Sequence, residues 1–321
     1  MRKELEIAGI RVGCGQKVQT YVRVPDTDLC FPCTFINGKE DGKIILASAG
    51  IHGCEYPGVM AVMELGREID PEHVSGAIIL IHEVNMSSFL KRQPYVMAAD
   101  EERKNLNRIF PTDGSGTLAD RLCCFLSEEF IPGIDFHVDL HSGDMVEELE
   151  GCVIVANTPD EEQKASLIEI AKHTRFHLRM NSGGRREFYN SSAIHYGKPA
   201  LLFERGHSGY CRRADVDDDK ADLLSVMSCL GILPGEPEEN PDQVFFWRHE
   251  WTQAQEGDNG ILLPFVKLGD EIQEGQKLFE IRDMFGELIR TVHAKHDGHV
   301  FIISHTLSVT EGDDLIAYGQ V

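Results

Sequence analysis

A regular alternation of two kinds of segment between residues 43 and 233 constrains the fold of this chain more than any other feature. Short apolar runs have the length and composition of buried strands, and the longer segments between them have those of helices. Strands that alternate with helices predict an α/β fold, in which a sheet is covered by helices on both faces. The predicted strands are 44–49, 77–84, 135–140, 152–156 and 200–204, and the predicted helices are 57–69, 117–130, 160–174 and 215–230.

The pattern changes in the C-terminal quarter of the chain. Residues 235–241 (GEPEENP) are acidic and contain two prolines, which is typical of a linker. Residues 245–321 consist of short strand-like runs separated by glycine-bearing turns, and this spacing predicts a small all-β domain. We therefore expect an α/β domain over residues 1–234, with residues 1–42 as its N-terminal β extension, and a β domain over residues 235–321.

The charge of the chain argues against one class of partner. The sequence has 31 Lys and Arg residues against 53 Asp and Glu residues, a formal net charge of −22. Such an excess of negative charge repels phosphate backbones, so we expect no nucleic acid partner.

Two further features predict a soluble, cytoplasmic protein. The N-terminal residues lack the apolar run of a signal peptide, and no stretch approaches the roughly 20 apolar residues that span a bilayer. The nine cysteines are odd in number and do not suggest a disulfide framework, which is typical of a reducing compartment. We expect no membrane partner, and the sequence is compatible with a homo-oligomer.

Two histidine-bearing motifs follow predicted strands. His52 and Glu55 lie three residues apart after the strand 44–49, and His141 follows the strand 135–140, with Asp139 as a candidate to orient it. Because ligands gather at the carboxyl ends of strands in open α/β sheets, we expect these side chains to meet. Two His residues and one Glu with an open position are a known hydrolytic zinc shell, which cobalt or manganese also fits.

The same residues have a purely structural alternative. The chain has 14 histidines, and a His and a Glu three residues apart arise often by chance. The joint placement of both motifs at strand ends favours the metal site, whereas His137 and His82 fit core or surface histidines better.

Two other runs carry polar groups with catalytic or binding chemistry. Asn107 and Arg108 offer amide donors and a planar fork, which suit a carboxylate, although asparagines in loops also bond their own backbone. Glu204 ends an apolar strand, where shielding from water raises the pKa of a carboxyl and suits a general base. The alternative is a structural ion pair of Glu204 with Arg205 or another arginine.

Together these segments resemble the succinylglutamate desuccinylase/aspartoacylase family. The resemblance rests on GIHGCEYPG (50–58), NLNRIFP (105–111), DLHSGD (139–144) and KPALLFERG (198–206), which occur in the order usual for the family. It implies a zinc carboxypeptidase-like fold with a mixed sheet, and a C-terminal barrel-sandwich domain akin to lipoyl domains. The expected hairpin tip of that domain, 283–286, contains no lysine, so the sequence does not support a swinging lipoyl or biotin arm.

The resemblance also implies roles for residues of this chain. It implies one zinc ion held by His52, Glu55 and His141, a substrate carboxylate held by Asn107 and Arg108, and Glu204 as the acid/base that activates water.

One position departs from the family pattern. Relatives usually have an arginine directly before a tyrosine upstream of the NLNR run, where it polarises the scissile carbonyl, but here Pro94 precedes Tyr95. Arg92 is the nearest substitute, and Arg103 is the second candidate. Arg185 is a candidate to meet a second substrate carboxylate.

These features predict an enzyme that hydrolyses the amide bond of a small, carboxylate-bearing N-acyl amino acid. Acetyl or succinyl groups on aspartate, glutamate or a diamino acid all fit. A zinc carboxypeptidase acting on small peptides and a non-catalytic binding protein on the same scaffold remain as alternatives.

Overall fold

A computed structural model describes residues 2–95 and 105–321. The strands are β1 (Leu5–Ile7), β2 (Ile10–Val12), β3 (Gln16–Arg23), β4 (Cys30–Asn37), β5 (Glu40–Ala49), β6 (Ser75–Ile81), β7 (Phe136–His141), β8 (Glu147–Leu149), β9 (Cys152–Val155), β10 (Leu178–Asn181), β11 (Ala200–Glu204), β12 (Val244–Phe246), β13 (Arg248–Gln253), β14 (Gly260–Pro264), β15 (Glu271–Ile272), β16 (Lys277–Arg282), β17 (Leu288–His293), β18 (Gly298–Ser304), β19 (Ser308–Val309) and β20 (Asp314–Gln320). The helices are α1 (Tyr56–Glu68), α2 (Met86–Phe89), α3 (Leu118–Glu129), α4 (Glu161–Ala171), α5 (Phe188–Tyr196) and α6 (Arg213–Cys229), and single 3₁₀ turns lie at Pro71–His73, Leu106–Arg108 and Ile131–Gly133.

A nine-stranded mixed sheet forms the centre of the molecule, in the order β12-β10-β9-β11-β7-β5-β6-β4-β3. The strands β6, β5, β7 and β11 are mutually parallel, whereas β9 runs antiparallel to β11, and β4 runs antiparallel to β6 and β3. Helices α1, α4 and α6 cover one face, and α3 and α5 cover the other. The predicted fold, a mixed sheet with helices on both faces, is confirmed.

The local sequence accounts for where these helices begin. Pro57 occupies the first turn of α1, where its missing N–H costs nothing. Thr117 caps α3 through a reciprocal pair of hydrogen bonds with Asp120, and Asp160 accepts the N–H groups of two residues in the first turn of α4. These caps lie within a few residues of the boundaries that the sequence predicts.

The C-terminal part is all-β. It contains the four-stranded sheet β17-β16-β14-β19 and the sheet β13-β20-β18-β15, whose strand β18 also pairs with β8. Between this sheet and the large one lies a buried apolar cluster that includes Leu149, Met180, Phe246 and Phe301. Strand β12 pairs in parallel with β10 in the large sheet. A domain boundary at residue 234 therefore stays a prediction.

The register of the parallel strands brings their carboxyl ends to one edge of the sheet. Ala49 of β5 is opposite Leu140 of β7, and Glu204 of β11 is opposite His141. The segments that follow these strands therefore meet above the same edge. No helix in the described part of the chain combines the length and the apolar character needed to cross a bilayer. The nine cysteines are all free thiols.

Candidate metal centre and substrate cleft

The loop between β5 and α1 is shaped so that two polar side chains face the sheet edge. Gly50 turns the chain with a φ of +75°, and a Cβ atom there would lie 2.4 Å from the Glu83 carboxyl, so only glycine fits. His52 follows in the loop, and Glu55 is the N-cap residue of α1. The Glu55 side chain makes no cap hydrogen bond and turns into the site, where the positive end of the helix dipole favours its negative charge.

His52, Glu55 and His141 meet in one cluster. Their ligand atoms all lie within 4.8 Å of one another. His52 Nδ1 lies 2.6 Å from Glu55 Oε1, and His141 Nδ1 lies 2.9 Å from Glu55 Oε2. Glu55 and His141 are buried, and His52 is partly exposed to the cleft. The three residues that the sequence singles out are thus brought together with two imidazole nitrogens and a carboxylate converging on one point.

The charges of this cluster stabilise one another. Burial raises the pKa of Glu55, but His52 and His141 outweigh it and lower that pKa to about 2. Burial lowers the pKa of His141, but the carboxylates of Glu55 and Asp139 outweigh it and hold the pKa well above its usual value. The cluster is therefore built around positive charge held against the Glu55 carboxylate.

Oxygen acceptors outside the cluster define the state of both imidazole rings. His141 Nε2 lies 3.2 Å from Asp139 Oδ2, and Ser48 donates to the other oxygen of Asp139 at 2.6 Å. His52 Nε2 lies 3.1 Å from Asn105 Oδ1, which also accepts the Asn107 N–H. Since these oxygens can only accept, Nε2 carries the hydrogen in each neutral ring, and the Nδ1 lone pair faces the centre.

His137 and His82 have structural partners, as the sequence suggests. His137 is fully buried between Ser48 Oγ and Ser192 Oγ, each 2.9 Å from a ring nitrogen. His82 Nε2 lies 2.8 Å from Thr34 Oγ1. Neither histidine belongs to the candidate metal-binding cluster of His52, Glu55 and His141.

Glu204 lies beside His141 at the end of the neighbouring strand and lines the cleft. Burial raises its pKa to about 8, although the attraction of His141 opposes the shift. In the described part of the chain Glu204 forms no ion pair. Arg205 pairs instead with Asp218, Asp219 and Asp222 of α6, so Arg205 is not the partner of Glu204.

Asn107 and Arg108 line the same cleft. Asn107 Oδ1 accepts the backbone N–H of Phe188 at 3.0 Å, which leaves its Nδ2 facing the cleft that the residue lines. Arg108 is half-exposed, and its Nη1 lies 3.3 Å from Glu187 Oε1. The guanidinium is thus held at the cleft with most of its donors still available.

The remaining arginines have different positions. Arg92 is exposed and is not among the described residues that line the cleft, and Arg103 lies outside the described residues. Arg185 lines the cleft, with its guanidinium carbon 5.0 Å from the centre of the Trp251 ring. Arg186 donates instead to the backbone carbonyls of Ile109, Phe110 and Pro111.

Several cleft residues were not found from the sequence. The cleft has a volume of about 180 Å³, and its walls include residues from the C-terminal strands as well as from the α/β part. Tyr95 and Asp144 lie in or next to segments that the sequence singles out, but for the other wall residues nothing local distinguishes them from other acidic or aromatic positions. The additional wall residues include Tyr95, Asp144, Glu147, Glu187, His249, Trp251 and Asp314.

Comparison with known proteins places this chain in a family of N-acyl amino acid deacylases. Residues 41–230, more than half of the chain, match the model described as the succinylglutamate desuccinylase/aspartoacylase catalytic domain. The chain therefore belongs to the succinylglutamate desuccinylase/aspartoacylase family, as its motifs predict.

Individual relatives match over nearly the whole chain. The N-alpha-acetyl-L-2,4-diaminobutyric acid deacetylase of Halomonas elongata is 24% identical over 297 residues, which cover 90% of this chain and 85% of the relative. The product-bound structure of the ectoine utilization protein EutE (DoeB) from Ruegeria pomeroyi has a TM-score of 0.83 at 21% identity, with 95% of each chain covered. A succinylglutamate desuccinylase/aspartoacylase structure from Rhodobacter sphaeroides has a TM-score of 0.81 at 22% identity, again with 95% of each chain covered. At these identities the structures show a shared fold.

Proposed function

We propose that this chain is a zinc-dependent hydrolase that cleaves the amide bond of a small N-acyl amino acid. The observation that carries the proposal is the convergence of His52 Nδ1, Glu55 and His141 Nδ1 at a cleft that Glu204 also lines. Family membership adds the reaction class, and the deacetylase from Halomonas elongata supports an acetyl group on an amino acid.

The residues present fit a zinc ion. Two neutral imidazoles and one carboxylate are a donor set found in catalytic zinc sites, which keep a fourth position open. The hydrogen bonds from Nε2 of each ring to an acceptor oxygen leave the Nδ1 atoms free to bind a cation. Zinc bound there would act as a Lewis acid that lowers the pKa of water and polarises the scissile carbonyl.

Glu204 would move the proton. Its carboxylate takes a proton from the attacking water and then delivers that proton to the nitrogen of the leaving amine. Its raised pKa suits both steps near neutral pH, because the group can accept a proton and release it again.

Asn107 and Arg108 would orient the substrate. The Arg108 fork suits the α-carboxylate of the substrate, and Asn107 Nδ2 is directed into the site by the bond from Phe188 N–H to its oxygen. Fixing the carboxylate holds the amide carbon next to the attacking water, which makes the reaction effectively intramolecular. Arg92 and Arg103 stay predictions for the group that stabilises the developing oxyanion.

A panel of substrates tests this proposal. Zinc-loaded protein is assayed with N-acetyl and N-succinyl amino acids and with dipeptides, and the same protein is assayed after treatment with a chelator. We expect hydrolysis of N-acyl amino acids that is lost with the metal and restored by zinc. Faster hydrolysis of dipeptides would favour the carboxypeptidase, and zinc binding without any turnover would favour the non-catalytic protein.

A further inference from the structure

The cleft carries more negative charge than the proposed reaction uses. Of its described lining residues, six are acidic and two are arginines, Arg108 and Arg185. Three of the acids have a role or a partner, because Glu55 belongs to the metal cluster, Glu204 is the proposed base and Glu187 pairs with Arg108. The acids left over are Asp144, Glu147 and Asp314.

These three carboxylates form no ion pair with any described residue. Asp144 accepts the backbone N–H of Val146 at 2.8 Å, and Asp314 accepts the side-chain amide of Gln253 at 2.8 Å. Neither bond supplies a positive charge. The three carboxyl groups therefore stay available to a cationic group of a ligand in the cleft.

Glu147 differs from the other two acids in its surroundings. Its carboxyl is almost fully surrounded by protein atoms, while the residue keeps an opening to the cleft that it lines. No hydrogen bond to this carboxyl is found within the described part of the chain. Burial raises its pKa well above the usual value, and Asp144 and Asp314 raise it further. A desolvated acid beside two others gains most from a cation that enters the cleft.

The three acids do not have the geometry of a second metal site. The described residues whose ligand atoms lie within 4.8 Å of one another are His52 with Glu55 and His141, and Glu169 with His173 and Glu239. An ammonium group needs one or two of the carboxylates as direct partners, and the others act on it through their charge.

Both signs of charge are therefore present around the cleft. Arg108 and Arg185 line it. After burial, the charges of Asp144, Glu147 and Asp314 raise the pKa of Tyr95, and the charge of Arg108 lowers it. A ligand that carries both a carboxylate and an ammonium group finds a partner for each charge among these lining residues. An N-acyl amino acid with a neutral or acidic side chain leaves the three acids without a partner.

We propose that Asp144, Glu147 and Asp314 form a subsite for a side-chain ammonium group, so that the substrate is an N-acyl diamino acid. This inference rests on the proposed function and narrows its substrate class. The α-carboxylate binds at Arg108, the acylated α-nitrogen lies at the metal centre, and the free amine enters the acidic subsite. The subsite joins β8 and the residues before it to β20, so both parts of the chain contribute to specificity.

Two substrates of nearly equal shape test the proposal. Nα-acetyl-2,4-diaminobutyrate and Nα-acetylnorvaline differ in a terminal ammonium against a methyl group. For zinc-loaded wild-type protein we expect kcat/KM to be at least about tenfold higher for the cationic substrate, because a hydrogen bond to a charged group is gained. Asp314→Asn and Glu147→Gln should each lower this ratio by about tenfold. The norvaline substrate reports at the same time whether each variant is folded.

A matched control separates the effect of the subsite from the effect of the overall charge of the protein. Glu148→Gln removes one negative charge from the same strand, but Glu148 does not line the cleft. We expect this variant to keep the wild-type ratio. An equal loss in Glu148→Gln would overturn the proposal, since it would show that the charge of the whole surface sets the preference.

Calorimetry of product binding gives a readout that does not depend on turnover. Wild-type protein should bind 2,4-diaminobutyrate more tightly than norvaline, and Asp314→Asn should remove the difference. Equal binding, or faster hydrolysis of Nα-acetylnorvaline or Nα-acetylglutamate, would overturn the subsite and leave the deacylase function standing. Loss of one zinc equivalent in Asp314→Asn would also overturn it, since the acids would then bind metal. If no substrate is hydrolysed, the proposed function fails, and calorimetry still decides the subsite.

Discussion

The substitution Asp139→Asn measures what one buried carboxylate contributes to metal binding. Asp139 is fully buried, its Oδ2 lies 3.2 Å from His141 Nε2, and its Oδ1 accepts the Ser48 hydroxyl at 2.6 Å. Asparagine has nearly the same shape, so the change removes the negative charge and little volume. The variant therefore keeps the position of the His141 ring and weakens the electrostatic support behind it.

The size of the effect follows from that contact. A hydrogen bond to a charged group contributes about 1.5–3 kcal/mol, and about 1.4 kcal/mol corresponds to a tenfold change in affinity. This estimate agrees with the loss of about 10- to 100-fold in metal affinity that follows removal of a partner behind a ligating histidine. We expect the Kd for zinc to rise by about 10- to 100-fold in Asp139→Asn.

Competition for zinc with a chelator of known affinity measures this change. The thermal unfolding midpoint of the metal-free variant is recorded beside it, so that a loss of fold is not read as a loss of zinc affinity. Glu204→Gln is the matched control, since it alters a neighbouring carboxylate that is not in the metal cluster. A folded Asp139→Asn variant with a wild-type Kd would refute the reasoning, because the carboxylate would then do nothing for the His141 ring.

Four further changes have expected outcomes. Glu204→Gln should lower kcat by about 100- to 10,000-fold and leave zinc affinity unchanged, as steady-state kinetics and metal titration would show. Arg108→Lys keeps the charge but loses the fork, so kcat/KM should fall by about tenfold or more, and equal kinetics would exclude a bidentate contact. Phe301→Ala should lower the free energy of unfolding in urea by about 3–5 kcal/mol, because Phe301 is fully buried between the two sheets. Burial lowers the pKa of His82 to about 4, so its contribution to stability is lost as pH falls from about 6.5 towards 4. The stability difference between wild type and His82→Gln should therefore shift by about 1–2 kcal/mol between pH 7 and pH 5, and a constant difference would show that the His82 pKa is ordinary.

The sequence predicts best what depends on local patterns and on the parallel sheet. Strand β11 has the bounds that its apolar run predicts, and α3 begins after the Thr117 cap. The sequence alone predicts that His52, Glu55 and His141 lie close together. They occur at or just after the carboxyl ends of β5 and β7, and parallel strands end at the same edge of a sheet.

Other elements escaped prediction for physical reasons. Helix α5 has no apolar stripe, because three of its buried residues, Asn190, Ser191 and Ser192, are polar. Asn190 donates to the loop before the helix, and Ser192 is hydrogen-bonded to His137. Strands β10 and β12 are four and three residues long, too short for a clear alternation. Their place in the sheet comes from the pairing of β12 with β10, a contact between residues more than 60 positions apart.

The proposed metal ligands and the proposed substrate-binding residues also differ in how well the sequence predicts them. Two of the proposed ligands, His52 and Glu55, lie three residues apart, and the third, His141, ends a parallel strand, so the ligand set leaves a pattern in the chain. Electrostatic recognition of a substrate leaves no comparable pattern in the sequence, because acidic residues from any part of the chain that face the cleft contribute to its electrostatic field. Glu147 and Asp314 are far apart in the chain, and among 53 acidic residues nothing local distinguishes them. Pairing of β8 with β18, and of β18 with β20, brings their strands into one sheet at the cleft. The proposed chemistry can thus be predicted from local motifs, whereas the proposed substrate preference depends on how the C-terminal strands pack beside those motifs.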